Sequence, residues 1–268
     1  MGEPELVIVD DPAATTATAA ELLTHALVSA IRERGVAHWA TTGGSTAVGL
    51  YRALVDTPLH DAVDWPSVHV WWGDDRYVPR DHPFSNVKPF DDILVDIGES
   101  EEGTAGGAAG LAFDVARVHP YPTTEAIGDA RGAGWCAAAL ADTLRDQGPA
   151  FEDGWPVFDV LVLGCGRDGH TLSVFPDSAA LDAGFADLAM AVPAPTHIEP
   201  HVERVTLHPA VIGTARRVLM VSSGAEKAEA IGGIFGETRD PARWPAQLAR
   251  RSGATWVLDR AAAGRLAR

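Results

Sequence analysis

The 268-residue chain has few cysteines, few lysines and no long apolar run. Its two cysteines, Cys136 and Cys165, provide neither a disulfide framework nor the paired spacing of a zinc site. No apolar run is long enough to cross a bilayer, and the first twenty residues contain acids in place of a basic, hydrophobic signal sequence. These absences predict a cytoplasmic protein without a membrane partner.

Positive charge is also scarce, because 21 lysines and arginines face 37 aspartates and glutamates and leave a net charge of −16. Such a surface is a poor partner for nucleic acid and anionic membranes, so neither is expected to bind. The only lysines are Lys88 and Lys227, and Lys227 follows a glycine turn. The hydrophobic content of 46% is enough for a large core.

Short apolar strands alternate with helical segments along the chain. The strands are predicted at 6–9, 36–41, 68–72, 158–163, 216–222 and 256–258, and the helices at 13–34, 47–54, within 121–146 and from about 225. This alternation predicts one α/β domain, residues 1–268, with a mostly parallel, doubly wound sheet flanked by helices. Residues 98–110 are rich in glycine and alanine and are predicted to form a mobile surface loop.

A histidine and an aspartate share the glycine-rich turn that follows strand 158–163. Ligands gather at the carboxyl ends of strands in such sheets, which places Asp168 and His170 at a candidate site. Histidine, with an unperturbed pKa of ~6.5, serves as a general base near neutral pH, and an aspartate on the same turn can orient its ring. The turn therefore indicates an active site, although a simple loop with a solvated histidine stays open.

The same turn also matches the dinucleotide pattern G-x-G-x-x-G through Gly164, Gly166 and Gly169. Two features disfavour a nucleotide. The turn lies in the middle of the chain, and Asp168 stands where a pyrophosphate needs neutral backbone, with Pro176 soon interrupting any long helix. Dinucleotide binding is therefore the less favoured alternative.

Two further glycine turns are candidates for binding a phosphate. Gly43-Gly44-Ser45-Thr46 lies between a strand and a helix, where backbone N–H groups, hydroxyls and the helix dipole form a phosphate cradle. A tight turn with a Ser/Thr cap is an equal alternative. Lys227 lies in the first turn of a predicted helix, at the wrong end of the helix dipole, which a bound anion explains better than solvation beside two glutamates.

A third polar group follows strand 68–72. Asp74-Asp75-Arg76 comes directly after the strand, and Asn86 follows further on. The planar guanidinium of Arg76 suits a phosphate or a carbonyl oxyanion, and an ion pair with a neighbouring aspartate is compatible with either use. Arg204, before strand 216–222, is a weaker candidate for the same anion.

No metal site is predicted. His197 and His201 are four residues apart, the spacing at which two histidines on one helix share a metal, but Pro200 lies between them and breaks such a helix. The two cysteines are too far apart in sequence to form a metal-ligand motif.

Together these segments resemble the 6-phosphogluconolactonase family of the sugar-phosphate isomerase-like superfamily. The family pattern runs GGST, W-G-D-E-R-x-V-P with a later S-N, L-G-x-G-x-D-G-H-T-A-S-L-F-P, R-I-T-L-T, G-x-x-K and W-x-x-D. This chain has GGST at 43–46, WGDDRYVP at 72–79, SN at 85–86, LGCGRDGHTLSVFP at 163–176, RVTLHP at 204–209, SGAEK at 223–227 and WVLD at 256–259. The match spans nearly the whole chain in the same order.

The resemblance implies hydrolysis of a phosphorylated sugar lactone in the pentose phosphate pathway, without a cofactor. Monomer and homodimer both stay open. His170 would be the general base, Asp168 its orienting partner, and Arg76 a ligand of the oxyanion or the phosphate. The phosphate ligands would be Gly43, Gly44, Ser45, Thr46, Arg204 and Lys227, and the supporting residues Asp74, Asp75 and Asn86.

The chain departs from the family pattern at several positions. Asp75 replaces a glutamate, Leu172 and Val174 change the packing, and Asp177 adds negative charge near the site. The nearest rival is a glucosamine-6-phosphate deaminase, whose pattern continues into F-N-E-P with a catalytic glutamate, where this chain has Phe175-Pro176-Asp177. A sugar-phosphate sensor is a second rival, but it would need a DNA-binding unit, and this chain is expected to begin at its first strand.

Overall fold

The computed structural model describes residues 2–56, 58–95, 111–181 and 186–266. The strands in these ranges, in chain order, are β1 (Glu5–Val9), β2 (Ala37–Thr41), β3 (Val68–Trp72), β4 (Asp74–Arg76), β5 (Val118–His119), β6 (Phe151–Glu152), β7 (Trp155–Pro156), β8 (Val160–Gly164), β9 (Ala189–Val192), β10 (Arg204–Leu207), β11 (Arg217–Ser222) and β12 (Ala254–Asp259). The candidate loop 98–110 lies outside the described residues.

The α-helices of the same ranges are α1 (Pro12–Arg34), α2 (Gly44–Val55), α3 (Leu59–Ala62), α4 (Lys88–Phe90), α5 (Thr123–Gly128), α6 (Gly132–Gln147), α7 (Val211–Thr214) and α8 (Ala228–Ile234). Shorter 3₁₀ turns lie at Trp65–Ser67, Val115–Arg117, Ala179–Leu181, Ala225–Lys227, Pro245–Ala249 and Ala262–Arg265, and a π-helical turn at Asp91–Val95. No helix in the described part of the chain is both long enough and apolar enough to cross a membrane.

The main sheet is parallel and is built outward in two directions. Its seven strands lie in the order β1-β12-β11-β8-β2-β3-β5, and every neighbouring pair is parallel. From β2 the chain proceeds through β3 to β5 at one edge, then returns to β8 and proceeds through β11 to β12 on the other side. This confirms the doubly wound parallel fold, and its switch point lies between β2 and β8, where such sheets open a crevice.

Burial along nearly their whole length explains why the central strands are made mostly of apolar residues. All five residues of β2 and the first four of β8 are buried, so each strand is covered on both faces and needs apolar side chains throughout. On one side α1 packs against β2, β8, β11 and β12. Trp39, Trp71, Trp72 and Trp256 are fully buried, and truncating a buried aromatic of this kind costs about 3–5 kcal/mol.

A second sheet, which the sequence did not predict, stands beside the main one. It is antiparallel and has the order β4-β10-β9. Its β4 strand begins one residue after β3, at residues that the sequence analysis placed after the end of strand 68–72. In the register of β4 and β10, Arg76 lies opposite Arg204. The small sheet thus joins two segments that are remote in the sequence.

Strands β5, β6 and β7 were not predicted either, whereas the elements that were predicted differ mainly at their ends. The helix expected within 121–146 is two helices, α5 and α6, separated at 129–131. The helix expected from 47 begins at Gly44, and the helix expected from about 225 begins as a 3₁₀ turn, with α8 following from Ala228. End positions of this kind depend on tertiary contacts that the periodicity does not record.

Candidate active site

The turn at 43–46 joins β2 to α2 at the switch point. Gly44 opens the helix with a φ of 71°, and Gly43 caps it without any side-chain hydrogen bond. A Cβ on Gly43 would overlap the side-chain amide of Asn86, so only glycine allows this close approach. The helix N–H groups are therefore not covered by a capping side chain, and the Ser/Thr cap considered from sequence is not present.

The two arginines of the small sheet face each other without carboxylate partners. Arg76 donates from Nη1 to the carbonyl of Phe84 at 2.8 Å, and Arg204 donates from Nη2 to the carbonyl of Pro200 at 3.3 Å. In the described residues the buried Nε of each has no hydrogen-bond partner, and neither forms an ion pair. The ion pair of Arg76 with a neighbouring aspartate is therefore not formed. Two cations so placed favour a bound anion.

Asp75 connects β4 to the segment Ser85-Asn86 through buried hydrogen bonds. Its Oδ1 accepts the backbone N–H groups of Arg76 at 2.7 Å and Asn86 at 2.6 Å, and Oδ2 accepts the Ser85 hydroxyl at 3.3 Å. Burial raises the pKa of Asp75 to about 7, although the hydrogen bonds from Asn86 and Arg76 act in the opposite direction. The Asp75 side chain is completely buried, so its carboxyl is not exposed to solvent.

Replacement of Asp75 by asparagine should flatten the pH dependence of stability. Because the folded pKa is raised from 3.8 to about 7, the folded protein keeps a proton that the unfolded chain loses, and stability falls as pH rises through this window. Asp75→Asn keeps both Oδ1 hydrogen bonds and removes that loss. We expect a melting temperature at pH 8 no lower than that of the wild type, and a smaller decrease between pH 4 and 7. A variant with the wild-type slope would contradict this.

Asp74 and Asn86 form the wall next to Arg76. The Ser173 hydroxyl donates to Asp74 Oδ2 at 2.5 Å, and Asn86 Nδ2 donates to the Asp74 carbonyl at 2.9 Å. The Trp72 indole donates to the Asn86 carbonyl at 3.1 Å. Asn86 Oδ1 is buried and has no partner among the described residues. Asn86 Oδ1 and the Nε atoms of Arg76 and Arg204 are thus three buried polar atoms without a hydrogen-bond partner in this part of the described structure.

The histidine turn after β8 carries a hydrogen-bonded pair. His170 Nδ1 lies 2.5 Å from Asp168 Oδ1. Burial acts to raise the pKa of Asp168, but hydrogen bonds and charge from His170, with a further hydrogen bond from His197, lower it well below its usual value. An ionised carboxylate can only accept, so Nδ1 carries the proton and the lone pair of a neutral His170 is on Nε2. No hydrogen bond engages Nε2 within the described residues.

The tight packing of this turn explains one of its glycines. A Cβ on Gly166 would overlap His170 Nδ1 and lie 2.5 Å from Asp168 Oδ1. The Phe175 ring packs against the imidazole of His170, with centroids 4.7 Å apart. After His170 the chain forms turns, and its next helical residues are the 3₁₀ turn at Ala179–Leu181. The helix that a dinucleotide turn requires is therefore missing here.

His197 belongs to this site, although the sequence gave no reason to place it there. Its Nε2 lies 2.9 Å from Asp168 Oδ2, on the side opposite His170. His201 turns elsewhere, towards the Pro195 carbonyl and Glu199. The two histidines thus have different partners, and no local signal links His197 to an aspartate 29 positions away.

Lys227 lies at the end of the 3₁₀ turn before α8. The turn is positioned by Asp259, whose carboxylate accepts the N–H of Gly224 at 3.1 Å and that of Ala262 at 2.7 Å. Asp259 is buried, and it is the last residue of the W-x-x-D segment. Lys227 forms no ion pair within the described residues, so its charge is available to a ligand.

One cleft at the switch point brings most of the candidates together. Asp75, Asp168 and Arg204 are not on its wall: Asp75 and Arg204 are buried beside it, and Asp168 stands behind His170. In the described residues, no group of three or more histidine, cysteine or acidic side chains has an arrangement that could hold a metal. The cleft is lined by Thr42, Gly43, Gly44, Ser45, Thr46, Asp74, Arg76, Asn86, Gly164, Cys165, Gly166, His170 and Lys227.

The fold and the cleft define a class of protein: a doubly wound α/β protein whose switch point holds a cleft lined by a glycine turn, a histidine, an arginine and a lysine. The family model described as glucosamine-6-phosphate isomerases/6-phosphogluconolactonase matches residues 10–257. The chain belongs to this family.

Similar proteins agree with this assignment. A 6-phosphogluconolactonase of Synechocystis is 34% identical over 241 residues, covering 90% of this chain and 89% of that protein. A 6-phosphogluconolactonase of Streptomyces coelicolor is 32% identical, covering 99% and 95%. The solved 6-phosphogluconolactonase of Trypanosoma cruzi superposes with a TM-score of 0.83 at 25% identity, covering 100% of this chain and 99% of that one.

Proposed function

We propose that this protein hydrolyses 6-phospho-D-glucono-1,5-lactone to 6-phospho-D-gluconate, the second step of the oxidative pentose phosphate pathway, without a cofactor. The observation that carries the proposal is one cleft with two functional parts. His170, oriented by Asp168, faces the same space as the 43–46 turn, Arg76 and Lys227. The pairing of β1 with β12 supports a single domain over 1–268.

The substrate phosphate is anchored by the 43–46 turn and Lys227. The uncapped N–H groups at the start of α2 can donate to the phosphate. Ser45, Thr46 and Lys227 line the same cleft and add two hydroxyls and an ammonium group. Arg204 adds positive charge from its buried position beside Arg76. Binding through the phosphate, remote from the reacting carbon, positions the lactone ring for attack.

His170 acts as the general base on a water molecule. The water oxygen attacks the lactone carbonyl carbon while Nε2 takes its proton, and a tetrahedral oxyanion forms. The intermediate then collapses, the bond from the carbonyl carbon to the ring oxygen breaks, and the leaving oxygen takes the proton from His170. Arg76 supplies positive charge to the substrate, at the oxyanion or at the phosphate, and both uses need the unpaired guanidinium.

The direct test follows the hydrolysis of freshly prepared 6-phosphogluconolactone by coupling 6-phosphogluconate formation to its dehydrogenase, with correction for spontaneous opening. We expect turnover well above the uncatalysed rate. Glucosamine-6-phosphate is the comparison substrate, because the family model also covers its isomerases. Conversion of glucosamine-6-phosphate without lactone hydrolysis would refute the proposal, and so would binding of sugar phosphates without turnover of either substrate.

Replacement of Lys227 by alanine should raise KM by about 10- to 100-fold with little change in kcat. Lys227 binds the phosphate with the same strength in the ground state and in the transition state, so its loss affects KM and not kcat. A hydrogen bond to a charged group contributes about 1.5–3 kcal/mol to binding. Lys88→Ala is the matched control, because the only other lysine is paired with Asp92 at the surface. Steady-state kinetics decide the question: a fall in kcat with unchanged KM would place Lys227 in the chemical step instead.

A further inference from the structure

Asp168 has a second histidine partner, His197, and the proposed reaction needs no proton transfer to or from His197. His170 engages Oδ1 of Asp168, and His197 engages Oδ2 at 2.9 Å. His197 lies between β9 and β10, and its side chain is 50% exposed, against 19% for His170. One partly buried carboxylate therefore links an exposed imidazole to the imidazole that lines the cleft.

Packing contacts around His197 hold its imidazole ring against Asp168. Phe175 packs against both imidazoles, with centroids 4.7 Å from His170 and 5.5 Å from His197. The Arg204 guanidinium lies 5.5 Å from the centre of the same Phe175 ring and donates to the Pro200 carbonyl. The His197 segment is thus fastened both to the histidine turn and to β10.

We propose that His197 is a positioning residue that fixes the catalytic pair by holding the outer oxygen of Asp168. This rests on the proposed function, because it assigns His170 as the base. A carboxylate held at one oxygen can rotate about its Cβ–Cγ bond, whereas one held at both keeps Oδ1 on Nδ1 and keeps Nε2 directed into the cleft. Orienting partners of this kind hold the ring orientation and tautomer of a functional histidine.

The contact has a defined donor and acceptor. Because the ionised Asp168 can only accept, His197 donates from Nε2 to Oδ2 while His170 donates from Nδ1 to Oδ1. Burial acts to raise the pKa of Asp168, but the hydrogen bonds from His170 and His197 lower it, so both histidines favour the ionised carboxylate.

The test compares His197→Ala, His197→Gln and His201→Ala in the lactone assay. We expect His197→Ala to lower kcat roughly tenfold with unchanged KM, the effect of one lost hydrogen bond. His197→Gln keeps an N–H donor and should recover most of kcat. His201→Ala is the matched control, because His201 lies in the same segment but bonds Pro195 and Glu199.

Each result has one meaning. Wild-type kcat in His197→Ala, equal losses in His197→Ala and His201→Ala, or no recovery in His197→Gln would overturn the positioning role. NMR of the His170 imidazole tautomer is an independent readout, because it needs no substrate: the fraction with the proton on Nδ1 should fall in His197→Ala. If the wild type fails to hydrolyse the lactone, the proposed function fails, whereas an unchanged His170 tautomer in His197→Ala refutes only the role of His197.

Discussion

His170→Ala should lower kcat by about 10²- to 10⁴-fold, the usual contribution of a general base, with a much smaller effect on KM. Nε2 of His170 is the nitrogen left free to take a proton in the cleft, and within the described residues no other histidine lines that cleft. Coupled lactone hydrolysis, corrected for spontaneous opening, measures the effect.

The control for this substitution is His25→Ala, because His25 is an exposed histidine on α1. Asp168→Asn tests the same step from the other side of the pair. It keeps the shape of the side chain but loses the charge that favours the productive tautomer, so kcat should fall strongly here as well. Wild-type turnover in His170→Ala would show that another group activates the water.

Gly166→Ala should lower kcat by about 10²-fold although it adds only one methyl group to the wall of the cleft. The new Cβ overlaps His170 Nδ1 and approaches Asp168 Oδ1 to 2.5 Å, so the pair must shift, and a displacement of about 1 Å costs about this much rate. Gly166 does not have a positive φ, so alanine adds no backbone strain. The loss should therefore appear in kcat while the protein stays folded.

The matched control is Gly134→Ala in α6, where a Cβ meets no atom within 4 Å. Alanine within a helix is more favourable than glycine by about 1 kcal/mol, so this variant should melt at a slightly higher temperature with unchanged kcat. Thermal melts and kinetics on both variants separate the two effects. Unchanged kcat in Gly166→Ala would show that the histidine turn accommodates the added methyl group without displacing His170.

The sequence predicted most of the fold because the relevant signals are local. The apolar runs at 68–72 and 158–163 and the helix at 13–34 are visible in the order of their own residues, and all three are present in the structure. A parallel sheet follows from their alternation. Strand order does not, because it depends on which buried faces pack together. The switch point between β2 and β8, which locates the cleft, came only from the structure.

The candidate site divides in the same way. Asp168 and His170 lie two residues apart on one turn, so the sequence alone could pair them, and the structure places them at hydrogen-bonding distance. Arg76 was a main candidate and Arg204 a weak one, and only the register of β4 and β10 put them opposite each other. Asp259 was only part of a motif until the structure showed it holding the turn before Lys227.

What the sequence by itself determined is the chemistry available: a histidine with its aspartate, a glycine–hydroxyl turn before a helix, an unusual lysine and an arginine after a strand. What only the tertiary structure decided is how these groups combine. Among the residues that the structure describes, it left both arginines without a carboxylate partner, left the start of α2 without a side-chain cap, and brought His197 onto Asp168. The physical reason is that covalent order controls neighbours within a turn, whereas contacts between remote segments are set by the packing of the whole sheet.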